Sequence, residues 1–328
     1  MSKGESDSRA RGVTDRADDF QQRHSALAVP VAVVRKFGED KSTNLASMIA
    51  FWAFFSLIPL LLLFITLLGF FLPGSTKAQV LKNVARMFPL LDASTVAGLS
   101  GSWWALIVGA VSALWSGLAV VRTTQFAFNS VWEVPRSDQP KLVEQIGRSV
   151  AVLTAIGGGL VLSTLITGFV SGASASLGLG LLGRIVGFAI AILLDVGLFI
   201  AAFRLLTDRD VTVRDVLPGA VLSGLVFWVL QSLSSFIISR HLHSAQGTYG
   251  NFATVITILW WFYLQSIVTL LGAQLNVVLA ERLHPRGLVN APKTDADQRA
   301  YQAYAEERKY HAEEEVRTDF SNDGRDDT

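Results

Sequence analysis

Tyr249-Gly250-Asn251-Phe252 opens the stretch of sequence that decides the fold, which continues through Ile258-Leu259-Trp260-Trp261-Phe262-Tyr263 to Leu271-Gly272-Ala273-Gln274-Leu275-Asn276. This stretch is too apolar for a helix on the surface of a soluble protein. It nevertheless carries three side-chain amides, those of Gln265, Gln274 and Asn276, and amides without partners are costly in hydrocarbon. We therefore expect the helix to cross a membrane and its amides to face protein or trapped water.

The composition of the whole chain agrees with a membrane protein. Of 328 residues, 51% are hydrophobic and 17% are charged, and the mean hydropathy is +0.41, which is too apolar for a soluble domain of this length. A helix needs about 20 apolar residues to cross the hydrocarbon core. Six runs are long enough: Leu45 to Leu72, Trp103 to Val121, Val150 to Val170, Ile185 to Phe203, Val216 to Ile238 and Phe252 to Leu279. The predicted fold class is therefore all-α, a bundle of six transmembrane helices.

The distribution of Lys and Arg predicts the orientation of this bundle. Basic residues are frequent before the first run, between the second and third runs, between the fourth and fifth runs, and after the sixth run, and they are sparse in the alternate loops. Because cytoplasmic loops carry an excess of Lys and Arg, both termini are predicted to be cytoplasmic. The first 25 residues contain no apolar core of the kind that precedes a cleavage site, so we expect the first span to insert uncleaved.

The chain also resembles a known family. Tyr249-Gly250 just before the sixth run, and Trp260 with Tyr263 and Gly272-Ala273 with Asn276 inside it, resemble the last membrane helix of the YihY/BrkB family, which was once labelled ribonuclease BN. Pieces in the earlier runs resemble the family in the same order: Ser56-Leu57-Ile58-Pro59-Leu60-Leu61, Ala113-Leu114-Trp115-Ser116, Ala127-Phe128-Asn129-Ser130-Val131-Trp132 and Val216-Leu217-Pro218-Gly219-Ala220. The resemblance covers roughly Val31 to Glu281 and implies a multi-pass protein of the inner (plasma) membrane.

This chain departs from the family pattern at two places. The resemblance implies a Glu where this chain has Gln274, and a Pro in the segment that is Thr207-Asp208 here.

Composition divides the chain into four parts. Residues 1–25 are polar and predicted to be disordered in the cytoplasm, and residues 26–44 hold an apolar patch ended by Arg35-Lys36, which is typical of a segment at the membrane interface. Residues 45–281 form the membrane domain. Residues 282–328 are charged, and we predict a disordered cytoplasmic tail that buries little.

Asp195 is the sharpest single candidate for a functional residue. It lies at the centre of the fourth run, where a charged side chain costs about 2.5 to 3.5 kcal/mol to insert. Two interpretations stay open. Asp195 is either a hydrogen-bonded structural residue of the bundle, or it contacts the solute or couples protons.

Polar side chains recur at helical spacing on the last two runs. Thr257, Trp261, Gln265, Thr269 and Asn276 share one face of the sixth run, and Trp228, Gln231 and Ser235 share one face of the fifth. These faces either glue the two helices together by hydrogen bonds or line a path for a polar or amphipathic solute. Within the membrane the candidate functional residues are therefore Asp195, Gln231, Ser235, Gln265 and Asn276.

Pro59 is a candidate helix break in the first run. Proline removes one backbone donor and frees a carbonyl about one turn earlier. Broken helices form binding sites in many transporters, whereas a simple bend is the alternative interpretation.

Three classes of function follow. The leading one is a transport-like protein that moves or exports a small amphipathic or lipid-like solute, with the lipid bilayer as its environment. The alternative is a non-transporting membrane scaffold for envelope or lipid-delivery machinery. A ribonuclease is disfavoured, because RNA cleavage needs clustered metal ligands and a basic surface for phosphates. We expect no enzyme activity, no catalytic residue, no metal, no cofactor and no nucleic-acid partner.

The predicted topology can be tested by cysteine labelling, since the chain has no native cysteine. Single cysteines at Ser137 and Asp210 should react only with reagents that reach the cytoplasm, whereas cysteines at Ser94, Ser174 and Ser244 should react from outside. Labelling of Ser137 or Asp210 from outside would overturn the predicted orientation.

Overall fold

A computed structural model describes residues 18, 20–71, 102–140, 142–176, 180–249, 252–287, 294–311 and 313–320. These residues form helices and connecting segments and contain no strand, so the predicted all-α class is confirmed. We number the main helices in chain order: α1 Ser25–Glu39, α2 Ser42–Phe71, α3 Trp103–Val131, α4 Leu142–Ser176, α5 Gly180–Leu205, α6 Val213–Tyr249, α7 Ala253–Ala280 and α8 Asp295–Glu306.

Five of these helices contain stretches long and apolar enough to cross a membrane. The stretches are Ser42–Leu63, Trp103–Val131, Gly180–Leu205, Val213–Leu233 and Ala253–Ala280, found within the described residues. The remaining predicted run, Val150 to Val170, lies inside α4 and is not among them. The count of six spans and the cytoplasmic position of both termini therefore stay predictions, with which the structure is compatible.

One end of the bundle gathers most of the polar contacts, and we call it the polar end. There α1 ends, α2 begins, α3 ends, α5 ends, α7 ends and the short helix α8 packs. Buried apolar side chains from these elements form a common core, which includes Phe128, Trp132, Phe203, Val216 and Val277. Away from this end many apolar side chains are exposed, among them Trp104, Trp115, Phe169 and Leu193, as expected for surfaces that face lipid.

α6 and α7 approach each other at backbone distance. A Cβ added to Gly219 would lie 2.0 Å from the carbonyl oxygen of Gly272, and a Cβ added to Gly272 would lie 2.0 Å from Ser223 Oγ. Only glycine leaves room for this crossing. The two family-motif glycines therefore have a direct packing role.

Near both ends of the chain, the described residues make contacts that the sequence prediction did not include. The segment predicted as a disordered tail contains α8, whose start has a capping box formed by Thr294 and Asp297, and Ala296, Asp297 and Ala300 in it are buried. Near the N-terminus Gln21 is buried and donates a hydrogen bond to the Arg286 carbonyl oxygen at 2.7 Å. In the described parts of both segments, tertiary contacts satisfy polar groups that local sequence leaves open.

Pro59 does not end a helix. α2 is continuous from Ser42 to Phe71 with Pro59 inside it, so the helix does not end there, and the alternative of a bend at Pro59 stays a prediction. The single backbone donor that proline removes is tolerated because α2 packs along α3 and α7, which hold the helix in place.

Gly219→Ala should destabilise the protein. The added methyl group meets the Gly272 carbonyl and Asn276 and forces α6 and α7 apart, which costs about 1–3 kcal/mol in a packed interior. Gly158→Ala is the matched control, because nothing lies within 4 Å of its added Cβ. Thermal unfolding in detergent measures both, and equal stability of the Gly219 variant and the native chain would contradict the close crossing.

Candidate functional site at the polar end

Asp195 lies on α5, ten residues before its end at Leu205, which is about 15 Å along the helix axis. This distance corresponds to the middle of a hydrocarbon core about 30 Å thick. The side chain is partly buried, and its carboxylate forms no hydrogen bond or ion pair with any residue that the structure describes. The next residue, Val196, packs against Gly224 of α6.

The polar faces of α6 and α7 do not form one continuous site. Asn276 Oδ1 accepts a hydrogen bond of 2.6 Å from the Gly219 backbone N–H, which makes it part of the helix crossing. Gln265 lies eleven residues away, about 16 Å along α7, and its buried Oε1 has no partner among the described residues. Gln231 is exposed on α6, and Ser235 has a side chain outside the described part.

The remaining family-motif residues have mostly packing positions. Gly272 and Ala273 are buried in α7, and Tyr263 packs against the core. Pro218 lies inside α6 next to Gly219. Trp260 is partly buried in α7, Tyr249 is the last residue of α6, and Gly250 lies outside the described residues.

The polar end instead holds a buried ionic cluster, centred on Lys36 of α1. The Lys36 side chain is 0% exposed, and its ammonium donates to Asp40 Oδ2 at 2.8 Å and to Glu133 Oε1. The Asp40 side chain is 3% exposed and that of Glu133 is 4% exposed. Gln274 Nε2 completes the cluster by donating to Asp40 Oδ2 at 2.7 Å and to Ser42 Oγ at 2.9 Å. A Glu at position 274, as the family resemblance implies, would place a third carboxylate beside these two, whereas the amide supplies a donor without titrating.

Three helices end at the polar end with a residue in the left-handed backbone region. Lys41, Glu133 and Arg282 are non-glycine residues with positive φ values of 51°, 47° and 53°, each just after a helix that ends at the polar end. After α3, the Val134 N–H donates to the Asn129 carbonyl at 2.9 Å and the Glu133 N–H to the Ser130 carbonyl at 3.3 Å, which is a Schellman ending. Such a backbone conformation costs about 1–3 kcal/mol in a residue other than glycine and is frequent at functional sites.

Burial changes the protonation of the cluster. It raises the pKa of Glu133 to about 7, against the attraction of Lys36 and with the help of repulsion from Asp40. Burial lowers the pKa of Lys36, but the Glu133 and Asp40 carboxylates outweigh this effect, and the pKa is raised overall. Lys36 therefore stays charged, while Glu133 exchanges a proton near neutral pH.

The tail closes over the cluster. The Arg286 guanidinium, which is fully buried, donates to Asp297 Oδ1 at 2.7 Å and to Glu39 Oε2 at 2.9 Å. From α8, the Tyr304 hydroxyl donates to Glu39 Oε2 at 2.8 Å, and the Lys36 ammonium lies 5.2 Å from the Tyr304 ring centroid. The N-terminal helix and the tail are thus joined through shared carboxylates.

A second cluster fastens the loop between α5 and α6. Asn129 donates to Asp208 Oδ2 at 2.6 Å and accepts from the Asp208 backbone N–H at 2.8 Å. Arg148 at the start of α4 pairs with Asp208 and donates to the Thr207 carbonyl at 2.9 Å. Arg209 pairs with Glu281 at 2.7 Å.

Two neighbouring cavities adjoin these clusters. The larger, of about 670 Å³, lies between Arg148, Arg204 and Arg209 at its polar side and Gly197, Ile200 and Ala201 of α5 at its apolar side. We call it the arginine groove. The smaller, of about 300 Å³, is lined by Trp132, Glu133, Glu281 and residues of α8. We call it the acidic cavity. Asp208 and Arg209 line both.

The sequence analysis identified Lys36 only as the end of the interfacial apolar patch and did not single out Asp40, Glu133, Arg286 or Asp297. The available signal was weak: charged residues at the ends of apolar helices are ordinarily solvated. Within the described residues, no group of three or more His, Cys, Asp or Glu side chains is arranged to hold a metal ion.

Comparison with known proteins places the chain in a family. The family model described as virulence factor BrkB matches residues 33–297, which include α2 to α7, the ionic cluster and the family motifs. The chain belongs to the BrkB family. It is a multi-pass membrane protein, as the apolar helices and the resemblance of the motifs predicted.

Curated BrkB relatives are distant but match over most of their length. The chain is 27% identical over 262 residues to the putative ribonuclease-like protein YfkH of Bacillus subtilis, covering 75% of this chain and 91% of that protein. It is 24% identical over 273 residues to a UPF0761 membrane protein of Pseudoalteromonas translucida, covering 79% and 87%. A UPF0761 membrane protein of Pseudoalteromonas atlantica is 25% identical over 270 residues, covering 79% and 88%. No solved structure matches the chain.

The raised pKa of Glu133 predicts a pH-dependent stability. The folded state binds the Glu133 proton more tightly than the unfolded chain, whose carboxyl titrates near the ordinary value of 4.5. The protonated Glu133 carboxyl contributes its full stabilisation below about pH 4.5, and this contribution is lost as the pH rises through about 7. Its total contribution to the free energy of unfolding is on the order of 3 kcal/mol. Thermal unfolding between pH 5 and 8 should therefore show falling stability in the native chain.

Glu133→Gln should flatten this dependence, because the amide does not titrate. A residual slope of the same sign is expected from Glu307, whose pKa is also raised by burial. The exposed Glu313 gives the control, and Glu313→Gln should keep the native slope. An unchanged slope in the Glu133 variant would show that this carboxyl does not titrate in the window.

Proposed function

We propose that this BrkB-family protein is transport-like and moves a small amphipathic or lipid-like solute between the two faces of the membrane. The observation that carries the proposal is the arginine groove. Its lining passes from guanidinium groups to an apolar wall on a single face of α5, since Ile200, Ala201 and Arg204 lie three, four and seven residues after Gly197. Such a surface fits a molecule that has an anionic group at one end and an apolar body.

The position of the groove relative to the membrane supports the proposal. Gly197 is eight residues, or about 12 Å, from the end of α5, so the apolar wall reaches into the hydrocarbon region while the arginines stay at the polar end. Arg204 is exposed, and Arg148 and Arg209 have partly exposed side chains of 38% and 45%. Arg148 and Arg209 are paired with Asp208 and Glu281, whereas Arg204 forms no ion pair within the described residues and is accessible to a headgroup in the adjacent leaflet.

Asp195 gives the proposal a second support. An acid in the middle of the membrane without a partner among the described residues is costly, and such residues commonly serve solute contact or proton coupling. Asp195 is two residues from Gly197 but about 200° around the helix, so it faces away from the groove wall and toward the side of α5 that adjoins other helices.

The alternative proposal is a non-transporting scaffold. It is favoured by the direct contact of Asn276 with Gly219, which uses part of the predicted polar path for packing. The ribonuclease label of one relative does not favour an enzyme here. We propose that the chain carries no hydrolytic activity, because its buried carboxylates are engaged by Lys36, Arg148 and Arg286.

The deciding experiment compares the membrane lipid and metabolite profiles of cells that lack the protein and of cells restored with variants. We expect deletion to change the level of an amphipathic compound, and the native gene to restore it. Asp195→Asn should be expressed and stable, because the amide is isosteric, but should fail to restore the profile. Arg204→Gln should also fail, whereas Arg214→Gln, an exposed arginine outside the groove, should succeed.

Two results would contradict the transport proposal. One is an unchanged profile on deletion, accompanied by a defect in envelope assembly, which favours the scaffold. The other is full restoration by both the Asp195 and Arg204 variants.

A further inference from the structure

One side of α8 rests on the buried ionic cluster. The Tyr304 hydroxyl donates to Glu39 Oε2 at 2.8 Å, and the Tyr304 ring centroid lies 5.2 Å from the Lys36 ammonium. Glu307, the residue that follows α8, accepts a hydrogen bond from Ser130 Oγ of α3 at 3.1 Å. The proposed function leaves these contacts of the tail unexplained.

The charged groups that face one another here, which we call the α8 joint, include more carboxylates than cations. The carboxylates are those of Glu39, Asp40, Glu133, Asp297 and Glu307, and the cations are those of Arg35, Lys36 and Arg286. The exposed Arg136 attracts Glu307 without forming an ion pair with it in the described part of the chain, and it does not cancel the excess. When every group is ionised, the joint therefore holds surplus negative charge where water and salt screen it little.

Glu133 is the group where one proton relieves this excess. Its carboxylate and that of Asp40 share the single Lys36 ammonium, and Glu307 adds repulsion from the end of α8. Burial raises the pKa of Glu133 to about 7 and also raises the pKa of Glu307. Once Glu133 is protonated, Lys36 and Asp40 remain as a matched ion pair.

Two further groups that adjoin the joint stay uncharged. Gln274 of α7 is an amide and donates to Asp40 Oδ2 at 2.7 Å. Burial raises the pKa of the Tyr304 hydroxyl, which therefore keeps its proton. Neither group compensates for a proton that leaves Glu133.

We propose that α8 is a strap operated by a proton: it stays docked over the polar end while Glu133 is protonated and is released when that proton leaves. An ionised Glu133 repels both Asp40 and Glu307, and of these two only Glu307 moves away with α8. Release also opens the acidic cavity, because three residues of α8 form part of its lining: Arg299, Ala303 and Glu306. The strap goes beyond the proposed function, since it controls the polar end whichever solute the arginine groove binds.

Docking of α8 should weaken as the pH rises. The docked state holds the Glu133 proton up to about pH 7, whereas the carboxyl of the released state lies in water and titrates near its ordinary value of 4.5. The docking equilibrium is therefore most favourable below about pH 4.5, falls by up to about tenfold per pH unit between these two values, and levels off above about pH 7.

Cysteine labelling of the purified full-length chain in detergent tests the strap, since the chain has no native cysteine. Ala300 of α8 is 0% exposed, so the thiol of an Ala300→Cys chain reacts only when α8 leaves its place. Gln302→Cys, on the exposed side of α8, gives the rate of an accessible thiol at each pH. The ratio of the two rates should rise on the order of tenfold between about pH 5.5 and 7.5 and then level off.

Substitutions in the Ala300→Cys chain connect the change to the joint. Glu133→Gln should keep the thiol protected over the whole range, apart from a smaller rise that comes from Glu307. Glu307→Gln is an independent test, because it removes the carboxylate that α8 itself carries and should also weaken the response. Glu313→Gln, an exposed acid outside the joint, should keep the native response. Thermal unfolding verifies that each variant is folded.

A cysteine in the bundle distinguishes local release from general opening. Ala127 of α3 is also 0% exposed, and Ala127→Cys should stay protected throughout the same pH range. An equal rise at Ala127 would show that the whole polar end opens, and it would overturn the strap. Protection of Ala300→Cys at every pH, or a native response in both the Glu133 and Glu307 variants, would overturn it as well. Because labelling does not depend on transport, the proposed function is tested separately by the deletion profile.

Discussion

The polar end of this protein depends on one buried cation, the Lys36 ammonium between Asp40 and Glu133. A charge this far from water is tolerated only with paired and hydrogen-bonded partners, and removal of one partner of such a pair typically costs about 3–5 kcal/mol. The pairing joins α1 to the end of α3, and Gln274 extends it to α7. The position of the N-terminal helix is therefore specified by electrostatics as much as by its apolar face.

The same constraint explains why α8 packs against the N-terminal helix. Glu39 receives hydrogen bonds from Arg286 and Tyr304, while Asp297 receives one from Arg286 and caps the start of α8. These groups come from segments that composition alone marks as solvated. The carboxylate of Glu39 in α1 and the donors of Arg286 and Tyr304 satisfy one another. Neither α1 nor α8 could therefore bury these groups without the other.

Within the membrane a different force sets the geometry. Lipid is as apolar as leucine, so helices associate through close packing and interhelical hydrogen bonds. Gly219 and Gly272 permit backbone contact between α6 and α7, and Asn276 adds a hydrogen bond at the crossing. This tight pair leaves the accessible polar surface elsewhere, along the arginine groove and the acidic cavity at the ends of α3, α5 and α7. A closed crossing beside an open polar end suits the amphipathic solute that we propose, since its headgroup and its apolar part would contact different surroundings.

The sequence by itself determined the helical class, the membrane environment and the approximate position of the apolar spans, because hydrocarbon selects long apolar helices whatever their neighbours are. It also pointed to Asn276, Gly219 and Gly272 through spacing and resemblance, although not to their contact with one another. Only the tertiary structure decided which charges are buried. Lys36 and Glu133 are 97 residues apart and Glu39 and Arg286 are 247 apart, and no local pattern reports such a pairing. The packing of α8, the continuity of α2 through Pro59 and the two cavities follow from the same cause, since each depends on groups that meet only when the helices pack.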